Sequence, residues 1–106
     1  MNIERVMSEL RNFLEERDWS QFHSPQNLAK SISIEASELL ECFQWDDNAD
    51  ELQVRQELAD VLTYCLLLAD KYLFDLEEIV LEKLEINRQK YPVDKSRGKS
   101  DKYDRL

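Results

Sequence analysis

Apolar residues recur at intervals of three and four positions through four segments of the chain, the spacing expected of one face of an α-helix. The first segment fades at RDWSQFH, and its stripe consists of Ile3, Val6, Met7, Leu10, Phe13 and Leu14. The second begins at SPQN, where Ser24 suits the N-cap and Pro25 the first helical position. It runs through Leu28 to Phe43 and fails at WDDNAD. We therefore predict two helices before residue 46.

Two further helices follow. The third spans roughly Asp50 to Tyr72, and the fourth opens with the capping box Asp75–Glu78 and ends near Tyr91, before Pro92. In the third segment, leucines point in widely different directions around the helix axis, at Leu62, Leu66, Leu67 and Leu68. A helix that is apolar nearly all round is surrounded by protein. Four helices cover it poorly, so we expect a homo-oligomer, as a symmetric dimer or a dimer of dimers.

Composition supports an all-α chain with short connections, because its 106 residues include one Gly and two Pro. The predicted fold is a four-helix bundle over residues 1–93. Residues 94–106 form a polar tail with five Lys or Arg against three Asp. This tail is either a frayed terminus or a basic flap that closes over an anionic site.

The formal charge of −9 argues against binding of DNA or RNA through a broad basic face. The longest apolar run, VLTYCLLLA, is about half the length that spans a bilayer, and no signal-peptide pattern is present. Cys42 and Cys65 form no CxxC pair and fit reduced core thiols. We expect a soluble, cytoplasmic protein without a membrane partner.

Two acidic motifs, EASELLE and ELADVLTY, stand out within the apolar pattern. A helical projection places Glu35 between Leu28 and Cys42, inside the core arc, with Glu38 at its edge. On the third helix Glu57 and Asp60 repeat this arrangement. Each pair has the i, i+3 spacing, which places the Cβ atoms of its two acids about 5–6 Å from each other.

Four carboxylates at core edges need a neutralising partner, because buried like charges are costly. No basic residue within these two motifs is placed to neutralise them, and the nearest, Lys71, could reach only Asp60. Clustered carboxylate oxygens suit a hard cation, and we predict Mg²⁺, with Mn²⁺ as a substitute. The alternative is two solvated acidic rows without a metal.

Other candidate residues could contact a phosphorylated ligand. Lys83 and Asn87 share the inward face of the fourth helix, where Lys83 could also extend to pair with an acid. Aromatic and imidazole side chains gather at helix ends, and they either pack corners or stack on a nucleobase: Trp19, Phe22, His23 and Trp45.

The two acidic motifs in this order resemble the paired ExxE and ExxD signature of the MazG-like, all-α nucleoside triphosphate pyrophosphohydrolases. RDWSQFHSPQNLA, FQW and LEINRQKYP resemble the dCTP pyrophosphatase branch of that family. The likeness extends from about Arg17 to Val93.

This resemblance implies a homotetrameric helical bundle and assigns roles to individual residues. The Mg²⁺ ligands would be Glu35, Glu38, Glu57 and Asp60. The nucleotide pocket would be lined by Trp19 to His23, Trp45 and Tyr64, and the triphosphate would be contacted by Lys83 and Asn87. Some dCTP-hydrolysing members carry a His on the first helix where this chain has Leu10, which leaves the preferred base and sugar open.

The predicted function is Mg²⁺-dependent hydrolysis of a nucleoside triphosphate, dCTP or a modified dCTP, to the monophosphate and pyrophosphate, for nucleotide-pool housecleaning. Glu38 would orient or deprotonate the attacking water. Two alternatives stay open: a related hydrolase of dUTP or of a phosphoribosyl substrate, and a non-enzymatic helical protein that binds a partner through its third helix.

Overall fold

The computed structural model describes residues 1–105, and these form helices and turns without a strand. The chain divides into two compact units, residues 1–73 and the segment from Phe74 onward. The all-α prediction is confirmed.

The first unit contains three helices, α1 (Ile3–Glu16), α2 (Pro25–Glu41) and α3 (Glu51–Lys71), and a 3-10 turn at Ser20–Phe22. Each helix begins at a side-chain cap of the kind that satisfies free N–H groups of the first turn. The Ser24 hydroxyl accepts a hydrogen bond from the Asn27 N–H at 3.1 Å, as its position before Pro25 predicts. Asp50 likewise accepts from the Leu52 N–H at 3.1 Å.

The end of α2 differs from the prediction, which extended this helix to Phe43. The N–H groups of Cys42 and Phe43 donate to the carbonyls of Leu39 and Leu40, three residues back. This spacing tightens the last turn beyond the α-helical register, so α2 ends at Glu41.

The core of the first unit lies where its three helices meet. Leu14 of α1, Leu28 of α2 and Leu67 of α3 form a buried cluster, against which Leu10, Tyr64 and Leu68 pack. Helices α2 and α3 also run against each other along their length. The acidic motifs of both helices are thereby brought to a shared surface.

The second unit contains α4 (Leu76–Lys90), a short α5 (Val93–Ser96) and a 3-10 turn at Tyr103–Arg105. The Asp75 carboxylate accepts from the Glu78 N–H at 2.9 Å and caps α4, as predicted. Near the tail, the Tyr103 ring lies edge-on to Tyr91 at 6.3 Å between centroids, and the Lys90 ammonium lies 5.0 Å from the Tyr103 ring. The described part of the tail is therefore attached to the end of α4.

Several apolar side chains lie on the surface of α3 and α4. Leu66, Leu67 and Ala69 of α3 are buried, whereas Leu58 and Leu62 are nearly half exposed. On α4, Val80 is 62% exposed. None of the helices in residues 1–105 is both long and apolar enough to cross a bilayer.

Leu28 should be the most sensitive aliphatic position of the first unit, because its side chain is fully buried between α1 and α3. We expect Leu28→Ala to lower the free energy of unfolding by about 2–5 kcal/mol, from lost burial and the cavity left behind. Lys30→Ala, an exposed position on the same helix, should change it by less than about 0.5 kcal/mol. Urea denaturation followed by circular dichroism measures both, and equal effects would contradict the core assignment.

Candidate metal and nucleotide site

Three of the four predicted acidic ligands converge between α2 and α3. Glu35, Glu57 and Asp60 each offer a carboxylate oxygen, and these oxygens all lie within 4.8 Å of one another. Glu35 and Glu57 are half-buried and Asp60 is exposed. The i, i+3 spacing on α3 explains why Glu57 faces inward while Asp60 lies nearer the solvent.

Glu38 lies beside this group of three and does not belong to it. Its side chain is half-buried like that of Glu35, so the two acids of α2 do not differ in burial as the helical projection suggested. Glu38 is within hydrogen-bonding reach of both Glu35 and Glu57, and its charge acts on both carboxyl groups. Glu41, one turn further along α2, is exposed.

Hydrogen bonding, burial and neighbouring negative charge together perturb the carboxyl groups of this cluster. A hydrogen bond to Glu38, burial and the negative charges of Glu38, Asp60 and Glu57 together raise the pKa of Glu35 to about 7. Burial, followed by the charge of Glu38, also raises the pKa of Glu57. Both shifts have the direction expected when carboxylates share a partly desolvated space.

Among the described residues of the first unit, no basic side chain forms an ion pair with this cluster. The ion pairs of the described residues join Arg11 to Asp70, Arg17 to Glu16 and Arg88 to Glu85. Lys71, the candidate partner of Asp60, forms none of them, and its charge instead helps to lower the pKa of His23 after the larger effect of burial.

The donor set fits a divalent cation. Oε2 of Glu35 and Oε2 of Glu57 are buried without a hydrogen-bond partner, although buried polar atoms are nearly always satisfied. Carboxylate oxygens that converge within 4.8 Å can ligate one ion, and hard cations of the Mg²⁺ class prefer such oxygens. The same ion would satisfy both unpartnered atoms.

A cavity of about 330 Å³ adjoins the acidic cluster and shares Asp60 with it. Three predicted pocket residues, Trp19, His23 and Tyr64, line this cavity. The His23 ring is edge-on to Tyr64, with 6.3 Å between centroids, and burial lowers the pKa of His23, which favours the neutral imidazole. Burial, followed by the charges of Glu35 and Asp60, raises the pKa of Tyr64, so its hydroxyl stays protonated.

The residues that complete this cavity were not predicted as site residues. They come from α1 and α3 and are mostly apolar: Leu10, Phe13, Leu14, Thr63 and Leu67. Thr63 had a detectable signal, since it lies three residues after Asp60 and therefore on the same side of α3. Leu10 of α1 had a signal in the resemblance, which aligns it with a His of some dCTP-hydrolysing members. The rest of the α1 contribution depends on tertiary packing.

Four other predicted contacts, Phe22, Trp45, Lys83 and Asn87, are not among the residues that line this cavity. The Phe22 carbonyl accepts a hydrogen bond from the Asn27 side chain at 3.0 Å, and the residue is 61% exposed. Trp45 follows the end of α2 and is 88% exposed. Lys83 and Asn87 lie on α4 in the second unit, Lys83 exposed and Asn87 half-buried. Contact of these four residues with a nucleotide stays a prediction.

Comparison with known proteins agrees with this arrangement. A model of the MazG-like family matches residues 30–106, which contain both acidic motifs. The chain belongs to the MazG-like family.

Individual relatives of this MazG-like chain carry a more specific name. It is 40% identical to dCTP pyrophosphatase 1 of Rattus norvegicus over 112 aligned positions, which cover 96% of this chain and 64% of that protein. It is 38% identical to dCTP pyrophosphatase 1 of Homo sapiens, over 99% of this chain and 66% of that protein. The chain thus spans slightly less than two thirds of these relatives, and the predicted likeness to the dCTP pyrophosphatases is confirmed.

The fold of the MazG-like chain also has a solved counterpart. A crystal structure of a pyrophosphatase from Archaeoglobus fulgidus matches it with a TM-score of 0.78 and 42% sequence identity. The match covers 87% of this chain and 94% of that one.

The raised pKa of Glu35 predicts that the metal-free protein loses stability as pH rises. The folded state holds this proton up to about pH 7, whereas an unfolded carboxyl releases it near its ordinary value of 4.5. The folded state therefore binds more protons between these values, and the free energy of unfolding falls from pH 4.5 to 7.

Urea denaturation in a metal chelator at several pH values measures this dependence. Glu35→Gln, which cannot ionise, should flatten it and should be more stable than the wild type at pH 8. A variant as pH-dependent as the wild type would show that Glu35 is not the perturbed group.

Proposed function

We propose that this MazG-like chain is a nucleotide pyrophosphohydrolase that cleaves a nucleoside triphosphate to the monophosphate and pyrophosphate. The observation that carries the proposal is the convergence of Glu35, Glu57 and Asp60, with two unpartnered buried oxygens, beside a cavity that shares Asp60. A triphosphate at the acids would place its nucleoside in reach of the cavity.

Mg²⁺ is the proposed cofactor, with Mn²⁺ as a substitute, and its ligands would be Glu35, Glu57 and Asp60, with Glu38 as a fourth carboxylate. When bound, such a cation polarises phosphoryl oxygens and offsets the negative charge of both the acids and the substrate. Without it, a polyanionic substrate would meet an acidic surface on a chain whose formal charge is −9.

Separate roles in hydrolysis are proposed for the remaining side chains. Water attacks the α-phosphorus, the bond to the bridging oxygen breaks, and pyrophosphate leaves. Glu38 is the proposed residue that orients this water or accepts its proton, because it borders the acid cluster without being one of the three converging ligands. Lys83 and Asn87 are proposed to bind the triphosphate.

The cavity would hold the nucleoside against Trp19, Tyr64 and the neutral His23. Aromatic faces stack on any base, while the imidazole offers one donor and one acceptor for a base or sugar edge. We propose dCTP or a modified dCTP as substrate, because the rat and human relatives are named dCTP pyrophosphatases. The proposed role is removal of unwanted nucleotides from the cytoplasmic pool.

A homo-oligomer, with a tetramer as the proposed state, would cover the apolar surface of the helices. Leu58 and Leu62 of α3 and Val80 of α4 are exposed in the single chain. Burial of such residues between copies of the chain stabilises an assembly by roughly 25 cal/mol for each Å² of apolar surface. The same exposure is the observation that favours the second candidate function, a helical protein that binds a partner without catalysis.

A panel of nucleotides, assayed separately for pyrophosphate and for phosphate release with Mg²⁺, tests the proposal. We expect pyrophosphate and monophosphate from dCTP, at a higher kcat/KM than from dUTP or a phosphoribosyl substrate. A preference for either of the latter would correct the substrate and keep the reaction class. A partner-binding protein would release nothing, and Mg²⁺ would not raise its Tm.

In the same assay Glu35→Gln should lower kcat by at least about 100-fold, since it removes one of the converging carboxylates proposed to hold the cation that would offset charge at the reacting phosphate. The matched control is Glu41→Gln, an exposed acid on the same helix outside the converging group, which should stay within about twofold of the wild type. A Glu35→Gln variant with most of its turnover would refute the site assignment.

A further inference from the structure

The turn that connects α1 to the 3-10 turn has a strained and unusually well-supported backbone. Asp18 has φ of 54°, in the left-handed region that Asp and Asn adopt more readily than other side chains apart from Gly. The Asp18 N–H donates to the Glu15 carbonyl at 3.1 Å, and the Trp19 N–H donates to the Leu14 carbonyl at 3.0 Å. This pair of bonds is a Schellman motif, which normally uses Gly at the position of Asp18.

Side chains hold this conformation from two sides. The Gln21 amide donates to both the carbonyl and the carboxylate of Asp18, at 2.9 Å each. On the other side, the Arg17 guanidinium lies 3.8 Å from the centroid of the Phe13 ring and 6.0 Å from that of Trp19. Arg17 also donates to the Phe13 carbonyl at 3.0 Å, which fixes the guanidinium over the ring.

These contacts converge on the orientation of one side chain. The Trp19 ring lies edge-on to Phe13, with 5.6 Å between centroids and 80° between planes, a favourable aromatic geometry. Both rings line the cavity beside the acid cluster, yet Trp19 is 45% exposed, so packing alone constrains it weakly. Its backbone anchor at Leu14 and the Arg17 contact supply the constraint that burial does not.

We propose that Arg17, Asp18 and Gln21 are positioning residues that hold Trp19 as a preformed wall of the nucleoside cavity. The inference rests on the proposed function for its ligand, a nucleotide base stacked on Trp19. If Trp19 is already ordered in the free protein, binding does not have to offset the entropy cost of fixing this exposed side chain. The residues act on binding and leave the hydrolytic step at the acids unchanged.

The test compares Asp18→Ala with Asp18→Asn. Asparagine adopts the left-handed conformation and keeps an oxygen that accepts from Gln21, whereas alanine loses both. Asp18→Ala and Gln21→Ala should each raise the nucleotide KM by about three- to tenfold, the scale of one or two lost hydrogen bonds, with kcat within about twofold. Arg17→Met should raise KM by about two- to fivefold. Asp18→Asn and the exposed control Gln26→Ala should match the wild type.

A second readout needs no nucleotide. In a Trp45→Phe background Trp19 is the sole tryptophan, so acrylamide quenching of fluorescence reports its mobility and access. We expect stronger quenching in Asp18→Ala, Gln21→Ala and Arg17→Met, with Asp18→Asn unchanged and the helical circular dichroism retained. Unchanged quenching and KM in all three would overturn the proposal, as would a fall in kcat with KM constant.

The two readouts separate this inference from the proposed function. If the wild type hydrolyses no nucleotide, the proposed function fails, and the quenching series alone decides whether these residues order Trp19. If Asp18→Ala unfolds, the comparison is made between Gln21→Ala, which loses the hydrogen bonds to Asp18, and Asp18→Asn, which keeps them. Equal quenching of Trp19 with and without the Gln21 amide would then contradict the positioning role.

Discussion

The packing of the first unit forces several carboxylates into one partly desolvated space between α2 and α3. The leucine cluster at the meeting point of three helices fixes α2 against α3, and this contact places Glu35, Glu57 and Asp60 within 4.8 Å of one another. Hydrophobic burial thus generates an electrostatic cost, which appears as the raised pKa of Glu35 and of Glu57. A bound divalent cation would offset this cost, which is why a metal is proposed at the site.

The cavity and the acids adjoin each other, because Asp60 belongs to both. Tyr64, one turn further along α3, lines the cavity, and after burial the charges of the acids raise its pKa. One end is charged and the other is aromatic and mostly apolar, which matches the two halves of a nucleotide. At the edge of the cavity, Trp19 is too exposed for packing alone to order it. The left-handed turn at Asp18 is the proposed source of that order.

Much of this arrangement follows from local sequence. Ser24, Asp50 and Asp75 cap the helices where their types and positions predict, and the i, i+3 spacing of the acids predicts which pairs share a face. What the pattern could not supply depends on tertiary contacts. The left-handed Asp18 lacks the Gly that signals a Schellman motif, and the part of the cavity built by α1 is set by how that helix packs.

The helical projection also has a limit that the acids of α2 illustrate. From the angles of Glu35 and Glu38 it predicts that Glu38 is more exposed to solvent. Both are half-buried, because α3 approaches that side of α2. The projection describes one helix, and burial depends on its neighbour.

We propose that a divalent cation makes these carboxylates compatible with one another. Calorimetric titration of the metal-free protein with Mg²⁺ at pH 7, in two buffers of different ionisation enthalpy, tests this most directly. Because the pKa of Glu35 is about 7, metal binding should release part of a proton, so the apparent binding enthalpy should differ between the buffers, and Glu35→Gln should reduce that difference. No binding of Mg²⁺, or binding with identical enthalpies in both buffers, would show that a divalent cation does not neutralise these carboxylates.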